Sequence, residues 1–163
     1  MKLEAFGDKT LPIQYEWPTK EIMMYLPLSK KIKLNQFAYK IKDDSNNGLS
    51  GIQLRFTNGV TSRLFESPHG RKDKLRKGKH TRFDVSEEIR KVSMKVNGKY
   101  LNGLRLINRS GGNVLDLSFY NDGTWIKRDI PEGKEIIGIY CNTSQDLIQR
   151  LGFILWTPNP TIM

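Results

Sequence analysis

Residues 49–56 read LSGIQLRF, residues 101–106 read LNGLRL, and residues 148–155 read IQRLGFIL. Each of these apolar stretches follows an earlier apolar strand across a short polar interruption. Matching Ile52, Leu104 and Leu151 gives spacings of 52 and 47 residues, so one unit spans about 50 residues. A unit that recurs three times in 163 residues predicts a closed β architecture with pseudo-threefold symmetry.

The strands alternate apolar and polar residues, as in Lys31-Ile32-Lys33-Leu34 and Lys91-Val92-Ser93-Met94-Lys95-Val96. This period of two is typical of strands with one buried face. Asn-Gly or Asp-Gly pairs at 47–48, 58–59, 97–98 and 122–123 supply the positive φ values that tight hairpin turns require. Because no stretch of ten or more residues keeps a helical period, we expect an all-β, antiparallel fold.

The second half of the chain carries an ordered pattern: a Pro-x-Gly turn at 131–133, the strand IIGIY at 136–140, a loop, and the strand LGFIL at 151–155. This order resembles the closing part of jacalin-type lectin domains, and residues 49–59 are similar to that family's first Greek key. The resemblance implies a β-prism, in which three Greek-key four-stranded sheets surround a pseudo-threefold axis.

The resemblance covers residues 27–157, which we expect to hold the three repeats of a single domain spanning residues 1–163. Residues 1–26 are expected to form a strap or strand, and residues 158–163 a tail. The buried part of the strap is assigned to Ile22, Met23, Met24 and Leu26.

The jacalin-type family holds sugar with a Gly-x-x-x-Asp motif just before the final Leu-Gly strand, often completed by a glycine-rich N-terminus. Aligned on Leu151-Gly152, this chain has Gln145 in place of the glycine and Gln149 in place of the aspartate, and its N-terminus is not glycine-rich. A neutral amide still hydrogen-bonds but lacks the charge-assisted strength of a carboxylate. What remains is a candidate sugar loop at 142–149, with the polar residues Asn142, Gln145, Asp146 and Gln149.

Positive charge is concentrated in residues 69–82, called here the basic segment. The chain has a formal net charge of +10, and this segment holds seven Lys or Arg against one Asp, a net of +6. Such a cluster suits an acidic protein surface, a nucleic acid or anionic lipid, although a solvated loop that only aids solubility is the alternative. The absence of aromatic residues among these charges gives no indication of base stacking. The candidate contacts are Arg71, Lys72, Lys74, Arg76, Lys77, Lys79 and Arg82.

The sequence gives little support for catalysis. Both histidines, His69 and His80, lie in the basic segment at a spacing that matches no common metal site. The single cysteine, Cys141, lies in an apolar strand, where we expect a small buried side chain. We therefore expect no catalytic residue, no metal and no cofactor. Trp125 and Trp156 are candidate interface aromatics, with a position in the core as the alternative.

The first residues lack the apolar stretch of a secretory signal, and one cysteine suits a reducing compartment, so we expect an intracellular, cytoplasmic protein. The preferred hypothesis is a non-catalytic, jacalin-like binding module. It would serve as a docking or structural subunit of a larger assembly and contact an acidic protein partner through the basic segment. The alternatives are a lectin that binds carbohydrate through residues 142–149 and a non-specific nucleic-acid-associated protein.

Overall fold

The computed structural model describes residues 1–18, 34–41, 49–56, 59–62, 65–66, 81–84, 88–98, 100–118, 123–144 and 147–157. Within these ranges the chain forms twelve strands and no helix. The strands are β1 (Phe6–Gly7), β2 (Tyr15–Trp17), β3 (Leu34–Ile41), β4 (Leu49–Phe56), β5 (Phe65–Glu66), β6 (Thr81–Asp84), β7 (Lys91–Asn97), β8 (Tyr100–Ile107), β9 (Asn113–Ser118), β10 (Thr124–Asp129), β11 (Glu135–Ser144) and β12 (Leu147–Trp156).

The strands form three antiparallel sheets of four. The first sheet has the order β1-β12-β11-β2, the second β10-β7-β8-β9, and the third β5-β4-β3-β6. In the second sheet three consecutive strands lie side by side and the fourth returns next to the first, which is a Greek key. The other two sheets have the same arrangement, except that the first combines two strands from each end of the chain. The predicted all-β prism of three four-stranded sheets is therefore confirmed.

The core contains the repeats that the sequence pattern indicated. The central hairpins β3–β4, β7–β8 and β11–β12 carry the three matched stretches. Ile52, Leu104 and Leu151 are each 0% exposed, and strands β4, β8 and β12 contact one another. Full burial of such a side chain contributes about 1.5–3 kcal/mol to the free energy of unfolding, so the three central hairpins stabilise one shared core.

The N-terminal residues complete the first sheet. Phe6 and Gly7 pair with β12, and β2 pairs with β11. The ladder extends back to the first residue, because the Leu155 amide donates to the Met1 carbonyl at 2.8 Å. The Tyr140 hydroxyl of β11 reaches across β12 and donates to the Leu3 carbonyl. The residues predicted to bury the strap, 22–26, and the predicted tail, 158–163, lie outside the described residues.

The connection between β1 and β2 and the β11–β12 hairpin meet at one end of the first sheet. Gly7 pairs with Arg150 and Tyr15 pairs with Cys141, so residues 8–14 lie beside the end of the β11–β12 hairpin. The Tyr15 ring also contacts the Phe65 ring of the third sheet, with 6.0 Å between centroids. This contact brings β5 to the same end of the molecule.

Among the residues that the structure describes, there is no helix with the length and apolar character needed to cross a membrane.

Substitution of Ile52 by alanine tests the shared core. Ile52→Ala is expected to lower the free energy of unfolding by about 2–5 kcal/mol, because it leaves a cavity where three sheets meet. Ile13→Ala is the matched control, since Ile13 is 40% exposed and the change should stay within about 0.5 kcal/mol. Urea unfolding of both variants measures the difference, and equal losses would contradict the assigned core.

Candidate functional site

The predicted sugar loop is shorter in the structure than in the sequence-based expectation. Strand β11 continues to Ser144 and β12 begins at Leu147, so Asn142 and Gln149 belong to strands rather than to a loop. The hairpin ladder continues past Arg150 across a bulge in β12: Arg150 pairs with Asn142 and Ile148 with Thr143, which leaves Gln149 as the extra residue. Gln145 and Asp146 lie outside the described residues.

Residues 8–14 form a loop that the sequence analysis did not assign to a site. Three residues of β11 and β12 bind this loop. The Asn142 amide donates to the Pro12 carbonyl at 3.0 Å, and the Arg150 guanidinium donates to the Leu11 carbonyl at 2.6 Å. The Thr143 backbone amide donates to the Gln14 side-chain oxygen at 3.0 Å. We call residues 8–14, 142–144 and 147–150 together the first-sheet rim.

Gly7 allows the rim to close. Its φ is +90°, and a Cβ added there would overlap the Gln149 carbonyl oxygen. Only glycine combines this backbone conformation with so close an approach. The next residue, Asp8, donates its amide to the Gln149 carbonyl at 2.8 Å. Asp8 therefore lies directly beside the residue that aligns with the jacalin-type aspartate.

The Asp8 carboxylate is partly exposed and held in place by Thr10. Its Oδ1 accepts from the Thr10 hydroxyl at 2.5 Å and from the Thr10 amide at 3.0 Å. These hydrogen bonds, the hydroxyl's first, hold the pKa of Asp8 below its usual value. The side chain is thus ionised throughout the neutral range.

Gln149 is buried at the rim. Its residue is 5% exposed, and its Nε2 atom has no hydrogen-bond partner among the described residues. Burying an amide N–H without an acceptor costs about 1–3 kcal/mol, and the Nε atom of Arg150 and the indole nitrogen of Trp156 in the same strand are buried in the same way.

The candidate interface tryptophans lie in different sheets. Trp125, in β10, is partly buried, and the Arg105 guanidinium lies 3.8 Å from its ring centroid. Trp156 ends β12 and packs against the core, with its indole nitrogen buried and unbonded among the described residues. Their proposed role at an interface stays a prediction.

The basic segment falls almost entirely outside the described residues. Both histidines lie outside the described residues, as do six of the candidate contacts: Arg71, Lys72, Lys74, Arg76, Lys77 and Lys79. The backbone of Arg82 lies in β6, opposite Ala38. The segment follows β5, whose Phe65 contacts Tyr15 next to the rim.

Within the described ranges, no group of three or more His, Cys, Asp or Glu side chains is placed to hold a metal ion. Cys141 is buried in β11 at 0% exposure, as its apolar strand predicted.

No known family model matches the chain, and no curated protein matches it in sequence. Solved structures do share its fold. The mannose-binding lectin from Champedak is 14% identical, with a TM-score of 0.64 and 96% of each chain covered. Artocarpin, solved as a mannotriose complex, is 12% identical, with a TM-score of 0.65 and coverage of 96% and 97%. The prostate-specific WGA16 glycoprotein lectin is 16% identical, with a TM-score of 0.61 and coverage of 80% and 86%. The expected jacalin-type fold is thereby confirmed.

Removing the Gln14 side chain tests how the rim is held. Gln14→Ala deletes the acceptor of the Thr143 amide, so that amide should exchange with solvent about threefold to tenfold faster, as expected for one neutral hydrogen bond. Gln14→Glu keeps an oxygen at the same place and is the control. Native-state hydrogen exchange measures both, and an unchanged rate in Gln14→Ala would contradict the contact.

Proposed function

We propose that this chain is a carbohydrate-binding module and that the first-sheet rim binds the sugar. The fold is that of several lectins, of which one is named for mannose binding and another was solved with mannotriose. A non-catalytic binding role is compatible with this fold. Sugars are recognised by hydrogen bonds to their hydroxyl groups, and the rim offers a set of such groups at one end of a rigid sheet.

The observation that carries the proposal is the buried amide of Gln149. Its Nε2 has no acceptor among the described residues, and alignment of the sequence on Leu151-Gly152 matches Gln149 with the sugar-binding aspartate of jacalin-type domains. The nitrogen is shielded from solvent in this structure, so a sugar hydroxyl would reach it once the Gln149 side chain turns outward, and accepting there would remove the cost of leaving it unbonded. Binding therefore gains free energy that an already satisfied amide would not provide.

The loop at residues 8–14 supports the proposal because it is ordered before any ligand arrives. Its carbonyls at Leu11 and Pro12 are already bound by Arg150 and Asn142. A site that is held in shape by its own protein loses less conformational entropy on binding than a loop that must be ordered by the ligand.

A glycan array followed by calorimetry tests the proposal. The wild-type chain is expected to bind a subset of neutral mannose-type or galactose-type glycans. Gln149→Met keeps the side-chain volume but deletes the amide, so affinity should fall about tenfold or somewhat less. Gln53→Met, which removes an amide on the third sheet bonded to the Ser62 carbonyl, is the control. No binding to any glycan would contradict the function, and unaltered binding by Gln149→Met would contradict the rim.

The basic segment supports a second candidate function, docking onto an acidic protein partner. The supporting observation is that a net +6 of the chain's formal +10 falls in residues 69–82. Attraction between a basic segment and an acidic surface is long-ranged and does not need a shaped pocket, so this function is compatible with a sugar site elsewhere on the protein.

Neutralising the basic segment tests this second candidate. Replacement of the six cations from Arg71 to Lys79 by glutamine should abolish association with an acidic peptide, whereas Lys91→Gln with Lys127→Gln, on the second sheet, should not. A salt titration against the peptide and against RNA separates two partners: affinity for RNA that falls steeply with salt favours the nucleic-acid alternative. If the variant with all six cations replaced still bound the acidic peptide, the docking proposal would be contradicted.

A further inference from the structure

We infer that Asp8 supplies, from the adjacent loop at residues 8–14, the carboxylate that this chain lacks at position 149, and that it selects neutral sugars with adjacent hydroxyl groups. The inference rests on the proposed carbohydrate function of the first-sheet rim. It concerns a residue that lies far from the sugar motif in sequence and next to it in space.

The backbone brings the two positions together. Phe6 pairs with Leu151 and Gly7 with Arg150, and the Asp8 amide continues this ladder by donating to the Gln149 carbonyl at 2.8 Å. Gln149 is unpaired in the β11–β12 ladder, because Arg150 pairs with Asn142 and Ile148 with Thr143, but the hydrogen bond from Asp8 keeps the two backbones side by side. A carboxylate on residue 8 is therefore close enough to act on the same ligand as an amide on residue 149.

The charge on Asp8 is left without a cation. Asp8 forms no ion pair within the described part of the chain, although the protein carries an excess of Lys and Arg. Other described carboxylates do have a Lys or Arg within 4.0 Å, namely Glu4, Glu16, Glu88, Asp116, Asp129 and Glu132. An unneutralised carboxylate is free to accept hydrogen bonds from a ligand at full strength.

Asp8 is also fixed in orientation. Thr10 binds Oδ1 through both its amide and its hydroxyl, while Oδ2 accepts no hydrogen bond from any described residue. This local turn, together with the bond from Arg150 to the Leu11 carbonyl, holds one carboxylate oxygen and leaves the other available. Preorganisation of this kind is what distinguishes a binding carboxylate from an ordinary solvated one.

The two groups define a class of ligand. A carboxylate accepts from hydroxyl groups and the Gln149 amide donates to one, so a pair of adjacent hydroxyls on a neutral pyranose meets both requirements. A uronic acid or a sulfated sugar would place its own negative charge near Asp8 and be repelled. We therefore expect neutral sugars to be preferred to the corresponding acidic ones.

Asp8→Asn tests the inference. The amide oxygen of asparagine still accepts from Thr10 and keeps the turn, while the charge is lost. Affinity for methyl mannoside, methyl galactoside or mannotriose, whichever the wild type binds, should fall at least tenfold. Asp116→Asn, on the outer edge of the second sheet, is the matched control and should stay within twofold. Asp8→Ser, which also supports such a turn, gives a second variant should asparagine perturb the fold.

The outcomes separate the inference from the function on which it rests. If the wild type binds a neutral sugar and Asp8→Asn binds it within twofold, the inference is wrong and the proposed function stands. If the wild type binds no sugar, the proposed function itself fails. Equal losses in Asp8→Asn and Asp116→Asn would reveal a general charge effect and also overturn the inference. Comparison of methyl glucoside with methyl glucuronide should favour the glucoside in the wild type, by a ratio that shrinks in Asp8→Asn.

Discussion

The antiparallel ladder between the N-terminal residues and β12 is the constraint on which the rest of the structure depends. It runs from the Met1 carbonyl, bonded by Leu155, to the Asp8 amide, bonded to Gln149. Without it the outer edge of β12 would expose a row of unpaired amides and carbonyls. The buried Leu3, Ala5 and Phe6 would also leave the core. The same ladder places residues 8–14 against the β11–β12 hairpin and so creates the first-sheet rim.

The first-sheet rim brings together two polar side chains that each lack a usual partner. Gln149 buries an amide nitrogen without an acceptor among the described residues, and Asp8 next to it keeps a carboxylate without a cation. Asn142, Thr143 and Arg150 each bond the loop, although the Nε atom of Arg150 is also buried without a partner among the described residues. Proteins tend to violate local rules at functional sites and to compensate elsewhere, and this pattern fits that tendency.

The position of the rim was only half predictable. Alignment on Leu151-Gly152 singled out Gln149, because a Leu-Gly pair within an apolar strand is a local signal. It assigned Asn142 and Gln149 to a loop, whereas the structure extends both strands to Ser144 and Leu147. The bulge that permits this extension depends on pairing across the hairpin and leaves no simple mark in either strand. Asp8 was overlooked because residues 1–18 show no regular period.

The sequence by itself determined the all-β class, the threefold repeat and the residues at its centre. It did so because alternation within strands and a spacing of about 50 residues are local or periodic features that a buried face imposes on the chain. Only the tertiary structure decided that the N-terminal strands complete the first sheet and that Asp8 lies beside Gln149. Contacts such as that of Arg150 with Leu11 join residues 139 positions apart. Backbone hydrogen bonds like that from Asp8 to Gln149 are nearly independent of side-chain identity, so no pattern along the chain specifies such a pairing.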